Sequence, residues 1–535
     1  MQTTFVRQTF DELNRLGLRP ETETLVRERD PEQTGMLTVQ QVIPGSPADE
    51  RLEPGDILLR VNGELVTGFV PLAAILDNAV DEPVTLELER GGQRIVESLP
   101  VTDLHAITPD EFLEFGDAIV NNLSYQQARH YNSEIEGVYV ANPGYMLARA
   151  AIPRGAIITE LGGEPVANIT DLEDRLARLA DRERSTVRFR TIDDPRNSAV
   201  RSIEMDRTWF PARRCARNDD TGVWPCRDLA PGPADFAPPS GSTRFPSYDD
   251  RRVDVISHSL VMVNFDLPYT ISGVAERHYY GTGLVVDTQR GLVVVDRNTV
   301  PVAMGDVSIT FAGSLQIRGT VEFIHPLHNL AVVSYDPALI GDTPVRAARF
   351  DTSGLESGER TWAVGLKSDH QVAHQASTVA SIEPLTLPLS RTMRFRDSNI
   401  EGISLVTGPD DFDGVLVNKK GEVQATWSSF AIQSGSDSSQ FSRGISSSLV
   451  SELVDVVRSG RPIYSLEAEV GYAPLFAARK LGLDEEWLHR LRAARPAGSP
   501  RPQCAAHRCR VAGRRGTAQR RHDPGNRRPG RFHVS

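Results

Sequence analysis

Residues 281–300 read GTGLVVDTQRGLVVVDRNTV: two apolar, Val-rich runs joined by the polar segment DTQRG. Val side chains suit a pleated, half-buried strand, and Asp and Gly suit the turn between two of them. This is a strand-turn-strand unit, and its surroundings repeat the pattern. From about 251 to 458, short β-rich runs recur roughly every ten residues with turn signals between them, as expected of a barrel or sandwich. SSLVSELVDVVRSG (447–460) then reads as a closing helix with Gly460 as its cap.

Upstream the composition changes. Residues 207–250 are rich in Pro, Gly and Asp, include APGPADFAPPSGS, and are expected to form a linker or a long surface excursion. Before them one order of elements occurs twice. The first copy runs MLTVQQVI, DILLRVNGE, a helix at Val70–Ala79, then VTLELER. The second runs GVYVANP, RGAIITELGGEPV, a helix at Ile169–Leu179, then STVRFRT and VRSIEMD. The expected boundaries are 1–29 for a surface-docked leader helix, with Phe5, Phe10, Leu13 and Leu16 on its apolar face, then 30–105 and 106–206 for the two copies. The barrel takes 251–460. Residues 461–491 begin another module (LEAEV, LFAARKLGL, EEWLHRL) that breaks off into an Arg-, Pro- and Gly-rich tail, 492–535, expected to be disordered.

The chain has 535 residues, 39% hydrophobic and 24% charged, which is ordinary composition for several globular domains. Its net charge of −12 argues against a globally basic nucleic-acid binder, although the tail carries about +11 and the remainder about −23. Any nucleic-acid binding by that tail would be non-specific, since only Phe532 interleaves its arginines. Four cysteines are too few for a disulfide scaffold, and free thiols are expected at Cys215, Cys226, Cys504 and Cys509. The N-terminus lacks the features of a secretory signal and no run is long enough to span a membrane, so the default compartment is cytoplasmic. No cofactor or metal is expected. Pro326 breaks any helix that would set His325 and His328 as ligands, and a solvated turn is the plainer reading. Ser434, Gly435, Ser436, Ser438 and Ser439 read as a flexible loop, and Asp287 as a solvated turn carboxylate.

The repeated copies resemble PDZ domains of the kind attached to HtrA/DegP-type proteases. The residues that carry this are Gly35-Met36-Leu37-Thr38-Val39, Val42-Ile43-Pro44-Gly45-Ser46-Pro47-Ala48, Leu52-Glu53-Pro54-Gly55-Asp56-Ile57 and Val61-Asn62-Gly63-Glu64. The resemblance implies that an extended or C-terminal peptide pairs as an added strand, with its carboxylate held by backbone amides. By position, the implied peptide-binding residues are Gly35, Met36, Leu37 and Thr38 in the first copy, and Gly137, Val138, Tyr139 and Val140 in the second. In the second copy Pro143-Gly144-Tyr145 replaces the PGSPA segment, and a groove closed against its neighbours stays open as the alternative.

The barrel resembles the trypsin-like domain of the same family at three landmarks. GLVVVDRNTV (291–300) matches the segment ending in the catalytic His and puts Asn298 there. HNLAVV (328–333) matches the segment with the triad Asp and puts Asn329 there. GPDDFDGVLVN (408–418) matches the nucleophile loop and puts Phe412 at the Ser, with Asp410, Asp411 and Asp413 crowding the implied oxyanion hole. A carboxamide is no general base and a benzyl group no nucleophile, so the resemblance implies a barrel without its chemistry. The fold expected is mainly β: two PDZ-like domains, a trypsin-like double barrel, and an incomplete third PDZ domain.

The domain order is similar to that of the tandem HtrA-like proteases of fungal nuclei. In those an active protease domain comes first, so the chain reads as lacking that half, with a frameshifted end. The function expected is peptide binding by a catalytically dead protease relative in protein quality control. The alternative is an HtrA-type serine endopeptidase, active through other residues or with a separately encoded catalytic half. The partners implied are peptide segments of other proteins, a homo-oligomer, or that separate half.

Overall fold

A computed structural model describes residues 2–464, 473–493 and 506–507, apart from 104, 192, 235, 272, 273, 275, 386, 388–396, 398, 435 and 436. The chain forms two compact units, Met1–Pro238 and Pro239–Ser535.

The first unit holds both repeats. In copy one the order is β1 (Thr3–Thr9), α1 (Phe10–Arg15), α2 (Pro20–Arg29), β2 (Gly35–Val42), β3 (Ile57–Val61), β4 (Glu64–Leu65), α3 (Phe69–Asp77), β5 (Pro83–Arg90) and β6 (Gln93–Pro100). The sheet runs β1-β2-β3-β5-β6, with β4 on β3. Copy two opens with a hairpin, β7 (Glu111–Phe115) and β8 (Ala118–Asn122). It continues through α4 (Tyr125–Tyr131), β9 (Val138–Asn142), α5 (Met146–Arg149), β10 (Ala156–Leu161), β11 (Glu164–Pro165), α6 (Ile169–Arg178), β12 (Arg184–Thr191) and β13 (Asp194–Glu204). Two further strands, β14 (Arg213–Ala216) and β15 (Cys226–Asp228), complete a sheet ordered β13-β12-β10-β9-β8-β7-β14-β15, with β11 on β10.

Three expectations change here. Residues 1–29 are not a leader helix. Thr3–Thr9 is a strand of the first sheet, and the helix after it starts at a capping box in which Thr9 and Glu12 satisfy each other's backbone amides. Residues 207–250 are not only a linker, because β14 and β15 extend the second sheet. Cys215 and Cys226 are not free thiols. They face each other across β14 and β15 and form a disulfide.

The second unit opens with α7 (Arg251–Ser257). Its first barrel closes as β16 (Leu260–Asp266), β17 (His278–Asp287), β18 (Leu292–Val295), β21 (Ala331–Tyr335), β20 (Leu315–Ile324) and β19 (Asp306–Phe311). The second closes as β22 (Arg360–Leu366), β23 (Val372–Pro384), β24 (Glu401–Leu405), β27 (Asp437–Ser446), β26 (Val423–Ser434) and β25 (Asp413–Val417). Helix α8 (Ser447–Ser459) ends at Gly460 in the left-handed region, as expected. One apolar cluster joins Leu284, Val294 and Val332 of the first barrel to Val364, Val415 and Phe430 of the second, so the cleft between barrels is built on a shared core. Beyond it, α9 (Leu475–Lys480) and α10 (Glu485–Ala493) match the expected helical runs. The segment LEAEV, Gly435, Ser436 and most of the tail lie outside the described residues.

Candidate functional site

The three landmark segments converge on the cleft between the barrels. Asn298 follows β18 and Asn329 precedes β21, and both donate their side-chain amide to the Ser429 carbonyl on β26, at 2.5 and 2.6 Å. Asn298 also donates to Ser429 Oγ at 3.1 Å, and Asn329 Oδ1 accepts the Arg297 amide at 2.8 Å. Phe412 and Ser429 line one groove of about 760 Å³ together with Trp427, Asp410, Asp411 and Asp413. Thus the two carboxamides tie the first barrel to a backbone carbonyl of the second, and the benzyl group lies in the groove that Ser429 also lines.

Beside these residues lie two acids, Asp296, which is buried, and Asp413, which is half-buried. Asp296 accepts the Thr299 amide and hydroxyl, both at 2.8 Å, and the Ser429 amide at 3.2 Å. Asp413, at the head of β25, accepts the Thr282 amide at 3.0 Å, while Thr282 Oγ1 donates to the Asp413 carbonyl at 3.0 Å. Burial raises Asp296 above the usual carboxylate range. Burial first, and then the charge of Asp296, pushes Asp413 up to about 7. Gly414 is required after it: its φ is +153°, and a Cβ there would lie 2.3 Å from the Val364 carbonyl.

His325 and His328 are not in a solvated turn; they are 6% and 8% exposed and stack with centroids 4.4 Å apart. His325 Nδ1 accepts the Leu327 and His328 amides, and its carbonyl accepts from the fully buried Arg297. Burial, then the charges of His328 and Arg297, pushes His325 down to about 3, and burial and Arg297 push His328 down to about 4. Neither is a base near neutral pH. The histidine of the groove wall is His278, with Nδ1 2.7 Å from Asp266. Asp287 is not simply solvated either, since Arg458 of α8 pairs with it at 2.8 Å.

The residues expected to take a peptide strand lie inside their sheets. Pairing occupies β2 on both sides, by β1 from Thr3↔Val42 to Thr9↔Gly35 and by β3 at Thr38↔Ile57. Gly35, Met36, Leu37 and Thr38 are therefore not an open edge. A Cβ on Gly35 would lie 1.9 Å from the Gln8 carbonyl, so this glycine permits β1 and β2 to approach. Likewise β9 sits between β8 and β10, which places Val138, Tyr139 and Val140 in an interior strand, and the Gly137 amide already donates to Ala167 at 2.9 Å. The copies also align one residue away from the expected register. Tyr139 pairs with Ile157 as Thr38 pairs with Ile57, which makes Tyr139 the counterpart of Thr38.

Sequence reasoning passed over Asp296, Arg297 and Ser429. A signal existed for the first two, an Asp-Arg pair ending the otherwise apolar run VVVDRNTV; Ser429 becomes visible only when β26 is brought against β18. Among the described residues no cluster of three or more His, Cys, Asp or Glu could hold a metal ion, and no helix is long and apolar enough to cross a membrane.

A PDZ domain family matches residues 38–90 and a PDZ-like domain family residues 106–182. The pro-apoptotic serine protease nma111 of Aspergillus clavatus is 35% identical over 510 residues, covering 93% of this chain and 49% of the relative. Over nearly its whole length the chain is thus similar to part of a serine protease, and two of its segments match PDZ families. Protease Do-like 7 of Arabidopsis thaliana is 32% identical over 615 residues, covering 91% of this chain and 56% of that one. The chain spans about half the length of the curated relatives it matches. A solved HtrA-type protease, AlgW with a tripeptide, is 18% identical over 44% of the chain and 73% of its own, with a TM-score of 0.33.

Proposed function

We propose that this HtrA-type chain binds extended polypeptide segments through its PDZ domains and does not cleave them, its double barrel serving as a structural platform. The observation that carries the second half is the double donation of Asn298 and Asn329 to the Ser429 carbonyl. The groups at the expected base and acid positions are neutral amides spent on holding the barrels together, and Phe412 offers no nucleophile.

The peptide site is the edge of β1, not the loop at Gly35. Among the described residues β1 ends its sheet, and its outer backbone groups face no further strand of that sheet. Phe69 of the neighbouring helix α3 is 51% exposed and Val70 is 80% exposed. Strand addition satisfies the backbone while apolar side chains at alternate positions cover that helix face. The partner class is an extended peptide segment of another protein.

Incubating the chain with a fluorophosphonate probe and with unfolded casein tests the platform reading: no labelling and no fragments are expected. The second reading is a serine endopeptidase, alone or with a separately encoded catalytic half. It draws on the His278–Asp266 pair in the wall of the same groove. Labelling of a groove serine by the probe would establish it and defeat the first.

A further inference from the structure

The two repeats share their topology strand for strand. β1, β2, β3, β5 and β6 correspond to β8, β9, β10, β12 and β13, and both β1 and β8 run into a helix with a capping box, at Thr9 and Ser124. Even the irregularity in pairing recurs, between Thr4 and Phe5 in one copy and between Ile119 and Val120 in the other. The repeats differ at one edge. β1 ends its sheet, whereas β8 carries β7 antiparallel on its outer side, through Leu113↔Val120, Glu114↔Ile119 and Phe115↔Ala118.

β7 is seated against the helix as well as the strand. Leu113 and Phe115 are 0% and 1% exposed and share a core cluster with Ile169, Leu172 and Leu176 of α6. Corresponding helix positions show what this covers: Ile169 is 1% exposed, and Phe69, its counterpart on α3, is 51% exposed. Charged residues of β14 and β15 then clamp β7 and α6 together. Arg214 pairs with Glu111 of β7 and, at 3.0 Å, with Glu173 of α6; Arg227 reaches Glu173 at 2.7 Å, and Arg213 holds Glu114 at 2.6 Å. The Cys215–Cys226 disulfide staples this hairpin, and Trp224 within it lies against Phe112, with centroids 5.6 Å apart.

We infer that the space between β8 and α6 is a second strand-accepting groove, filled in cis by β7 as a built-in ligand and kept shut by the Arg214–Glu173 clamp. The inference rests on the proposed role of the β1 edge and extends it. It also names the ligand class for this groove, an extended segment with large apolar residues two apart, as Leu113 and Phe115 are. The second domain is then a latent peptide site, opened when β7 lifts, while the first is open at all times.

The test uses the full chain, a fluorescein-labelled synthetic peptide of residues 109–117, and hydrogen exchange resolved by segment. In the wild-type chain the peptide is expected to give no added protection at β8 or α6. A variant combining Arg214→Ala and Glu173→Gln is expected to exchange faster across β7 and β8, and to bind the peptide at least about tenfold more tightly with protection at β8 and α6. Protection there in the wild type would overturn the inference, because the groove would already be open. So would a folded clamp variant whose loosened β7 is not replaced by peptide. If the clamp variant does not loosen β7, Leu113→Ser with Phe115→Ser removes the anchors. Recovery of its melting temperature by added peptide supports a ligand, and unfolding that peptide does not reverse makes β7 ordinary core and ends the proposal. Protection at β1 and α3 reports separately on the open site, so the two readings fail independently.

Discussion

At the scale of single residues the cleft shows how sequence alone bounds chemistry. Asn298, Asn329 and Phe412 could be placed from three short motifs because strand residues around them, such as Gly414, Leu416 and Val417, keep the spacing that a closed barrel demands. What the motifs could not show is that both carboxamides meet one carbonyl, since Ser429 lies about a hundred residues or more further along the chain. Asp413 carries a prediction at this scale. Its carboxyl is pushed up to about 7, so the folded state holds a proton that the unfolded state releases near 4. The contribution of Asp413 is fully present below about pH 4 and is lost as pH rises toward 7 and beyond. Asp413→Asn keeps the shape and the acceptor for Thr282, and should therefore raise the melting temperature of the second unit at pH 8 while changing it little at pH 4. Melting curves across that range check it; an offset of equal size at both ends would assign the effect to packing instead.

Elements decide which strand edges are paired. The motif at Gly35 was legible, and its residues do form the strand the pattern calls for, but a strand's role depends on whether its edges are paired. That is a property of the sheet. β2 and β9 are interior, and the open edge belongs to β1, which the periodicity of Phe5, Phe10 and Leu13 had disguised as part of a helix. Two outcomes belong here. Phe69→Ala removes an exposed side chain, so stability should change by no more than about 0.5 kcal/mol. Peptide affinity should drop about fivefold or more, since a covered aromatic anchor is commonly worth over 1 kcal/mol at an interface. Fluorescence anisotropy with an extended apolar peptide measures this, and unchanged affinity would remove α3 from the site. Reducing Cys215–Cys226 opens a cross-link between residues 11 apart, which costs on the order of 2–3 kcal/mol in the chain-entropy account. The transition of the first unit should move down by several degrees with reductant in a calorimeter, and a melt indifferent to reductant would show that β14 and β15 need no staple.

The whole molecule is two compact units, Met1–Pro238 and Pro239–Ser535, each with cores of its own. Residues 1–238 and 239–535 expressed separately should each fold, and their two melts should sum to that of the full chain. A half that stays unfolded by circular dichroism would show that the units depend on each other. By itself the sequence determined the mainly β class, the repeat and the double barrel. Strand periodicity, turn chemistry and motif order are local, and a single chain carries them in full. Only the tertiary structure decided which strand ends the first sheet, that β7 pairs on the outer side of β8, that Cys215 meets Cys226, and that Asp296 and Asp413 line one cleft. Each of these depends on segments far apart in the chain coming into contact, and no local pattern records that distance.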